Sequence, residues 1–360
     1  MIDYKNLELI IDESNFVPGE VCWRSPSNIA IIKYWGKHGL QLPRNPSFSF
    51  TLNNAHTFTC LSYELKETRG ISFELLFEGN ENSSFHPKIF KFLEQIIEIY
   101  PFLEQLHLRI ETENTFPHSA GIASSASAMS ALSLCLCSVE KQLFNNLNDE
   151  AEFLKKASYL SRIGSGSACR SLYPIAAIWG ETEEIPGSSD LFAIPYKDEI
   201  HPIFHSFHDD ILIVSNKEKS VSSSAGHNLM DGNIYSESRY KQAKLRLKTL
   251  LRALKEGDLI NFGTICEEEA LTLHALMMTS SPSYLLLKPA TLSIIEEIRI
   301  FRNETGIPVY FTLDAGPNIH LLYPDKYKEV IQEFINQKLL LYCINKTCLQ
   351  DNLGNGPTVP

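Results

Sequence analysis

Four short stretches of this 360-residue chain gather hydroxyl, cationic and carboxylate side chains among residues of little bulk: NIAIIKYWGK (Asn28 to Lys37), PHSAGIASSAS (from Pro117), GSGSACRS (Gly164 to Ser171) and LDAGPN (Leu313 to Asn318). The second is the most organised. Pro117 stops whatever element precedes it. Ala120, Gly121, Ala123, Ser124, Ser125 and Ala126 then carry almost no side chain, and Ala128, Met129, Ala131, Leu132, Leu134 and Leu136 follow with the spacing of a helix packed into a core. A bulk-free loop entering a helix presents several N–H groups to one point, and the helix dipole adds partial positive charge there. Phosphate matches such a site, and the hydroxyls of Ser124 and Ser125 would add hydrogen bonds or a magnesium ligand. The spacing is neither a Walker loop nor a dinucleotide fingerprint. A tightly packed Ala/Ser helix start with no ligand uses the same residues, so this stretch alone leaves both readings open.

The other three stretches carry the charges. Lys33 sits inside an apolar run, where an unpaired ammonium is costly. Either it snorkels to a sheet edge, or Lys33 and Lys37 meet an anion. Asp314 ends the apolar segment VYFTL and precedes Ala-Gly-Pro; it is a turn residue or a catalytic carboxylate. Arg170 closes a turn of Gly, Ser and Ala. It is a structural ion-pair partner or, through its planar fork, a ligand for carboxylate or phosphate. His201, His205 and His208 have a spacing that a helix would turn into a zinc pair, but Pro202, Phe204 and Phe207 fit an extended segment equally well, and no HExxH is present.

The elements that must position these residues follow from periodicity. Strands are expected at 29–34, 47–59, twice within 61–77 around Thr68-Arg69-Gly70, and at 106–111, 176–179, 191–194, 211–215, 309–313 and 319–323. Helices are expected at 89–99, at 149–162 with Asp149 as N-cap, and at 235–255, 260–277, 289–304 and 327–335. A polar loop is expected at 78–84. The lead-in of about 20 residues has no assignable role, and the Gly/Pro-rich tail after Asn352 reads as loose.

A net charge of −11, from 32 Lys and Arg against 43 Asp and Glu, argues against a partner bound by phosphate neutralisation, as nucleic acid is. An anionic substrate needs a locally basic pocket inside this acidic shell. No apolar run approaches the ~18 residues of a membrane span, and acidic residues stand where a secretory signal is basic. A cytoplasmic protein is expected. The eight cysteines form no CxxC and several lie in apolar stretches, so they are expected to be reduced, mostly buried thiols. The two-residue spacing of Cys135 and Cys137 on a helix turns them different ways and argues against a metal role for that pair.

Taken together and in this order, the motifs resemble the diphosphomevalonate decarboxylase family, within the small-molecule kinases that include galactokinase, homoserine kinase and mevalonate kinase. The matching residues are Asn28-Ile29-Ala30, Lys33-Tyr34-Trp35-Gly36-Lys37, Gly121 to Ala126, Gly164 to Ser171, Val221-Ser222-Ser223 and Asp314 to Asn318, spread from about Arg24 to Tyr323. KYWGK, GSGSACRS and DAGPN together are the specific part; the serine-rich loop alone marks only the wider kinase group. Ser224 departs from the pattern, since some bacterial members carry a basic residue there, and Pro174-Ile175-Ala176 stands where Gly-Gly is common.

The resemblance implies an α+β fold in two domains with the site in the cleft between them. One would be an ATP-binding domain over 1–205, of the ribosomal protein S5 domain 2-like type. The other, over 206–360, would be a ferredoxin-like domain for substrate and catalysis. It implies ATP and Mg2+ as cofactors, with the phosphates on Gly121, Ala123, Ser124 and Ser125 and the metal near Ser125. Tyr34, Lys37, Ser167, Arg170 and Ser223 would bind the substrate's diphosphate and carboxylate, and Asp314, Arg170, Lys33 and Asn28 would be catalytic. The implied reaction turns mevalonate 5-diphosphate into isopentenyl diphosphate with release of ADP, phosphate and carbon dioxide. The implied enzyme is a homodimer. The rivals are a decarboxylase of mevalonate 5-phosphate, a mevalonate 3-kinase that stops at phosphorylation, and a non-catalytic sensor on the same fold.

Overall fold

The computed structural model describes residues 3–117, 122–217 and 221–360. The first half is a sheet covered by helices. Strand β1 (Gly19–Ile32) pairs antiparallel with the long β4 (Ser47–Leu65), and a small hairpin of β2 (Lys37–His38) and β3 (Leu42–Pro43) lies between them in sequence. β5 (Ser72–Phe77) turns back through β6 (Asn80–Glu81), so the expected polar loop contains a two-residue strand. Helix α1 (His86–Gln95) leads to β7 (Leu106–Asn114). After it come α2 (Ser124–Phe144), α3 (Glu150–Gly164), a 3-10 segment (Gly166–Leu172), and strands β8 (Ala176–Trp179) and β9 (Ala193–Pro195). The strand order is β6-β5-β7-β4-β8-β9, with β1 on β4; only β5 and β7 run parallel. Asp149 caps α3 by accepting the Glu152 N–H, as its position in the sequence predicts.

The second half begins with β10 (Phe207–Leu212). Short helix α4 (Ser223–Asn228) and the long α5 (Ser236–Glu256), α6 (Leu259–Met278) and α7 (Pro289–Thr305) follow, then β11 (Tyr310–Thr312), β12 (Ile319–Pro324), α8 (Lys328–Gln337) and β13 (Cys348–Leu349). The four strands order β11-β12-β10-β13, all antiparallel. The architecture is α+β.

Three of the four apolar cores among the described residues hold these layers; the fourth gathers Trp35, Leu273, Met277 and Ala315. One face of the first sheet packs Leu61, Leu108 and Ile110 against Leu132, Leu136 and Leu160 of α2 and α3. The other packs Ile29, Ile31, Phe48 and Phe50 against Leu247, Leu250 and Phe262 of α5 and α6. The second sheet packs Phe311, Leu321 and Tyr323 on α7 and α8, and its Tyr310 and Leu322 join the α5–α6 core. The α5–α6 pair therefore lies between the two sheets. Successive residues of a strand face opposite sides, so Ile29 and Ile31 enter the α5–α6 core while Asn28 points to the 3-10 segment.

Two expectations are corrected. Cys22 and Cys60 are not reduced: they are bridged, because the β1–β4 register sets them opposite each other with Cα atoms 4.1 Å apart. The other six cysteines are free. The tail after Asn352 is not loose. Asp351 accepts the N–H groups of Asn53, Asn54 and Ala55 at 2.7–2.8 Å. Gly354 donates to Thr51 and accepts from Ile175, and Thr358 pairs with Arg24. Gly and Pro residues here serve a backbone-to-backbone strap, which hydropathy does not reveal. The lead-in is also tied down: Leu9 and Ile11 are buried, and the Gln105 side chain clasps Ile11 through both its N–H and its carbonyl.

Candidate active site

The four stretches meet at one cavity of about 880 Å3, within the range of small-molecule sites. Lys33 follows the last residue of β1. Its ammonium does not snorkel outward; it is 2 % exposed and lies 3.1 Å from Asp314 Oδ1. Asp314 stands at the turn between β11 and β12. That turn is held from three sides. His274 Nε2 lies 3.2 Å from the Asp314 carbonyl, Thr291 Oγ1 donates to Pro317, and Asn318 Oδ1 accepts from the backbones of Val214 and Ser215. A carboxylate at a fixed position beside a buried cation can take or direct a proton.

Arg170 sits on the 3-10 segment, buried. It donates to Ser47 Oγ at 2.9 Å and Asn28 Oδ1 at 3.2 Å, and its guanidinium lies 5.9 Å from the Trp179 ring centroid. Asn28 is fixed in turn by donating to Ser171 Oγ and the Ser167 carbonyl. Among the described residues no carboxylate forms an ion pair with Arg170, and its Nε has no hydrogen-bond partner. Its guanidinium feels the charge of Asp314 across the same cavity, without a direct ion pair to any described carboxylate, which argues against the structural ion-pair reading.

The Tyr34 hydroxyl is also buried without a partner. Burial pushes its pKa up, so it remains a phenol that can donate. Its ring packs on Trp179 and His227. Gly166 permits this: a β-carbon there would stand 2.8 Å from the Tyr34 ring and 2.9 Å from Trp179. Unsatisfied buried donors are uncommon and call for an explanation. Two beside one cavity point to an oxygen-rich ligand.

Ala123 adopts a left-handed conformation (φ 49°, ψ 38°) at the start of α2, and no side chain caps that helix end. Ser124 and Ser125 open the helix on the cavity wall, and Ser125 Oγ lies 2.8 Å from Ser165 Oγ. Gly121 falls outside the described residues. Ser167 and Ser223 line the cavity, and Ser224 lies beside them.

Lys37 reaches Gln41 at 3.2 Å, and its pKa is lowered by burial and by Lys91. Lys88 and Lys91, on α1, line the same cavity and were missed in the sequence. The crowded pocket wall, together with Lys37, lowers the pKa of Lys88, although its side chain reaches solvent. Their i,i+3 spacing, one turn apart on one helix face, was the available signal. Lys37, Lys88 and Lys91 form a local basic patch on this cavity in an acidic protein, as an anionic substrate requires. His227 was missed too. It accepts the Gly36 N–H at 3.0 Å, and burial, Lys37 and Arg170 push its pKa down to about 3. It is a neutral acceptor packed between Tyr34 and Trp35, not a cationic phosphate ligand.

The histidines of the metal alternative do not converge. His201 caps the turn at Ile203, and His208 pairs with Asp325 and stacks on Tyr323. Among the described residues the only grouping with metal-ligand spacing is Glu20, Cys22 and Cys60, and its two sulfurs are bridged.

Two family models match the chain: the diphosphomevalonate decarboxylase-like N-terminal domain over residues 25–193 and the mevalonate 5-diphosphate decarboxylase C-terminal domain over 210–353. The diphosphomevalonate decarboxylase of Gibberella zeae is 30% identical over 324 residues, covering 85% of this chain and 81% of that protein. The solved structure of MDDEF in complex with MVAPP, AMPPCP and magnesium is 26% identical with a TM-score of 0.80, covering 95% of this chain and 99% of the other. The mevalonate diphosphate decarboxylase of Staphylococcus aureus is also 26% identical, with a TM-score of 0.81 and coverage of 96% and 98%.

Proposed function

This chain belongs to the diphosphomevalonate decarboxylase family, and from that premise we propose how its residues carry out the ATP-dependent decarboxylation of mevalonate 5-diphosphate to isopentenyl diphosphate. The observation that carries the assignment of roles is the convergence of the Lys33–Asp314 pair, 3.1 Å apart, with two orphaned buried donors, on Tyr34 and Arg170, at one basic cavity.

The substrate's tertiary alcohol is a poor nucleophile and its hydroxyl a poor leaving group. Asp314 accepts the hydroxyl proton, and Lys33 steadies the charge that develops beside it. ATP supplies the phosphoryl group that turns the hydroxyl into a leaving group. As phosphate departs with the C–O electron pair, positive charge appears on the tertiary carbon. The carboxylate C–C bond then breaks, and its electron pair forms the alkene as carbon dioxide leaves. Arg170, oriented by Asn28 and Ser47, holds the carboxylate in line for that cleavage. Tyr34, Lys37, Ser167 and Ser223 bind the rest of the substrate, with Lys88 and Lys91 adding charge for its diphosphate.

The donor set suits ATP and Mg2+. The uncapped start of α2 and the hydroxyls of Ser124 and Ser125 offer N–H and oxygen groups to phosphate, and Mg2+ takes hydroxyl oxygen together with phosphate and water. The same reading takes the enzyme to be a cytoplasmic homodimer.

The test is a coupled assay that follows ADP and carbon dioxide with the mono- and diphosphate substrates in parallel. Equal yields of the two products from the diphosphate are expected. ADP without carbon dioxide would mean a kinase, preference for the monophosphate would reassign the substrate, and tight binding with no turnover would mean a sensor. Ser125→Ala is expected to weaken the use of ATP by about tenfold or more, since a hydrogen bond to a charged group is lost. Unchanged ATP kinetics across a magnesium titration would remove Ser125 from the phosphate site.

A further inference from the structure

The β1–β4 ladder ends at Ile32–Phe48, one residue before Lys33. Both backbone polar groups of Lys33 are nevertheless met, largely by charged side chains from the other half of the protein. The N–H donates to Glu269 Oε2 at 2.9 Å. The carbonyl accepts from Arg239 Nη2 at 3.2 Å and from Asn45 Nδ2 at 3.1 Å. Arg239 and Glu269 bind each other through two 2.6 Å hydrogen bonds, the planar fork that only arginine provides. Both side chains are fully buried, at 1 % and 0 % exposure. Burial raises the pKa of the Glu269 carboxyl, and Arg239 more than offsets it, so Glu269 remains a carboxylate.

A buried ion pair is poor at stabilising a fold; apolar residues of the same volume often do as well or better. What a pair bonded through both Nη atoms supplies is a fixed position. Glu269 lies on α6 and Arg239 on α5, and a simple tie between those helices would not require either to contact Lys33. On the same helix, His274 meets the Asp314 carbonyl. One rigid helix thus grips the backbone of both partners in the Lys33–Asp314 pair, although Lys33 and Asp314 come from opposite halves of the chain.

We propose that the buried Arg239–Glu269 pair is a positioning device for the reaction: it clamps the Lys33 backbone on α5 and α6 so that the ammonium stands against Asp314. The inference rests on the catalytic reading of Lys33 given above.

The test uses the whole 360-residue enzyme with the double substitution Arg239→Met and Glu269→Leu, which removes both charges together; Arg246 loses its 2.9 Å contact with Glu269 and keeps the one with Glu268. Expected is a folded protein with KM for ATP and substrate within a few-fold of the parent and kcat lowered on the order of 10²-fold, the scale of a roughly 1 Å misplacement. In a Lys33→Met background the same double substitution is expected to lower kcat no further, because the clamp acts through Lys33. Arg239→Lys keeps the charge but cannot span two carboxylate oxygens and a carbonyl; it is expected to lower kcat about tenfold and serves if the double variant does not fold. A folded clamp variant with parental kcat overturns the inference, as does a loss that multiplies with that of Lys33→Met. Parental kcat in Lys33→Met itself overturns the reading of Lys33 and, with it, the inference.

Discussion

Asp314→Asn is expected to give a folded enzyme that binds ATP and substrate but turns over roughly 10²–10⁴-fold more slowly, the usual contribution of a positioned general base. The amide keeps the size and hydrogen-bonding reach of the carboxylate but cannot accept the hydroxyl proton. It also leaves Lys33, 2 % exposed, without the carboxylate 3.1 Å away. The melting temperature is therefore expected to fall as well, because an ammonium in a dry site loses its counter-charge. Turnover measured well below the transition separates the two effects. A rate within a few-fold of the parent would take the proton-accepting role away from Asp314.

Arg170→Lys is the second substitution expected to have a large effect. The guanidinium reaches Ser47 and Asn28 at once and has an unpartnered Nε. A lysine retains the charge but not the planar array that pairs two carboxylate oxygens. Turnover is expected to fall on the order of 10²-fold with substrate geometry lost, while the apparent affinity for ATP is spared. Melting temperature and steady-state kinetics must be measured on the same preparation. A destabilised variant with full activity would give Arg170 a purely structural role, since its bonds to Asn28 and Ser47 also join the 3-10 segment to β1 and β4.

The residues of this site were legible because each stretch pairs an unusual side chain with small neighbours. A lysine inside NIAIIKYW has no bland explanation once its ammonium is buried, and the DAGPN turn fixes where its aspartate must point. The cap at Asp149 and the long helices were readable for the same reason: local chemistry decides them. Lys88, Lys91 and His227 were not singled out, because each looks like an ordinary helix residue until folding carries its helix to the cavity wall. Glu269 and Arg239 were invisible for a stronger reason. Arg239 sits in a charged helix and Glu269 in the Glu267-Glu268-Glu269 run of an otherwise apolar one, where a solvent-facing role is the default, and only tertiary packing buries them together. The Cys22–Cys60 bridge depends on β1–β4 register across 38 residues, and the tail depends on backbone bonds that carry no signature in side-chain type.

That tail has a consequence for how the molecule is made. Synthesis runs from residue 24 towards residue 358, so β1 leaves the ribosome long before the partner that bonds its Arg24 backbone. Asn53, Asn54 and Ala55 likewise wait for Asp351 to satisfy their N–H groups. Until then this stretch of β4 presents open donors and acceptors, the kind of unpaired backbone that invites pairing with a neighbouring nascent chain. The strand that carries Asn28 and leads into Lys33 is thus finished late, and a chain cut short of residue 351 would hold all four site motifs and an unsealed sheet.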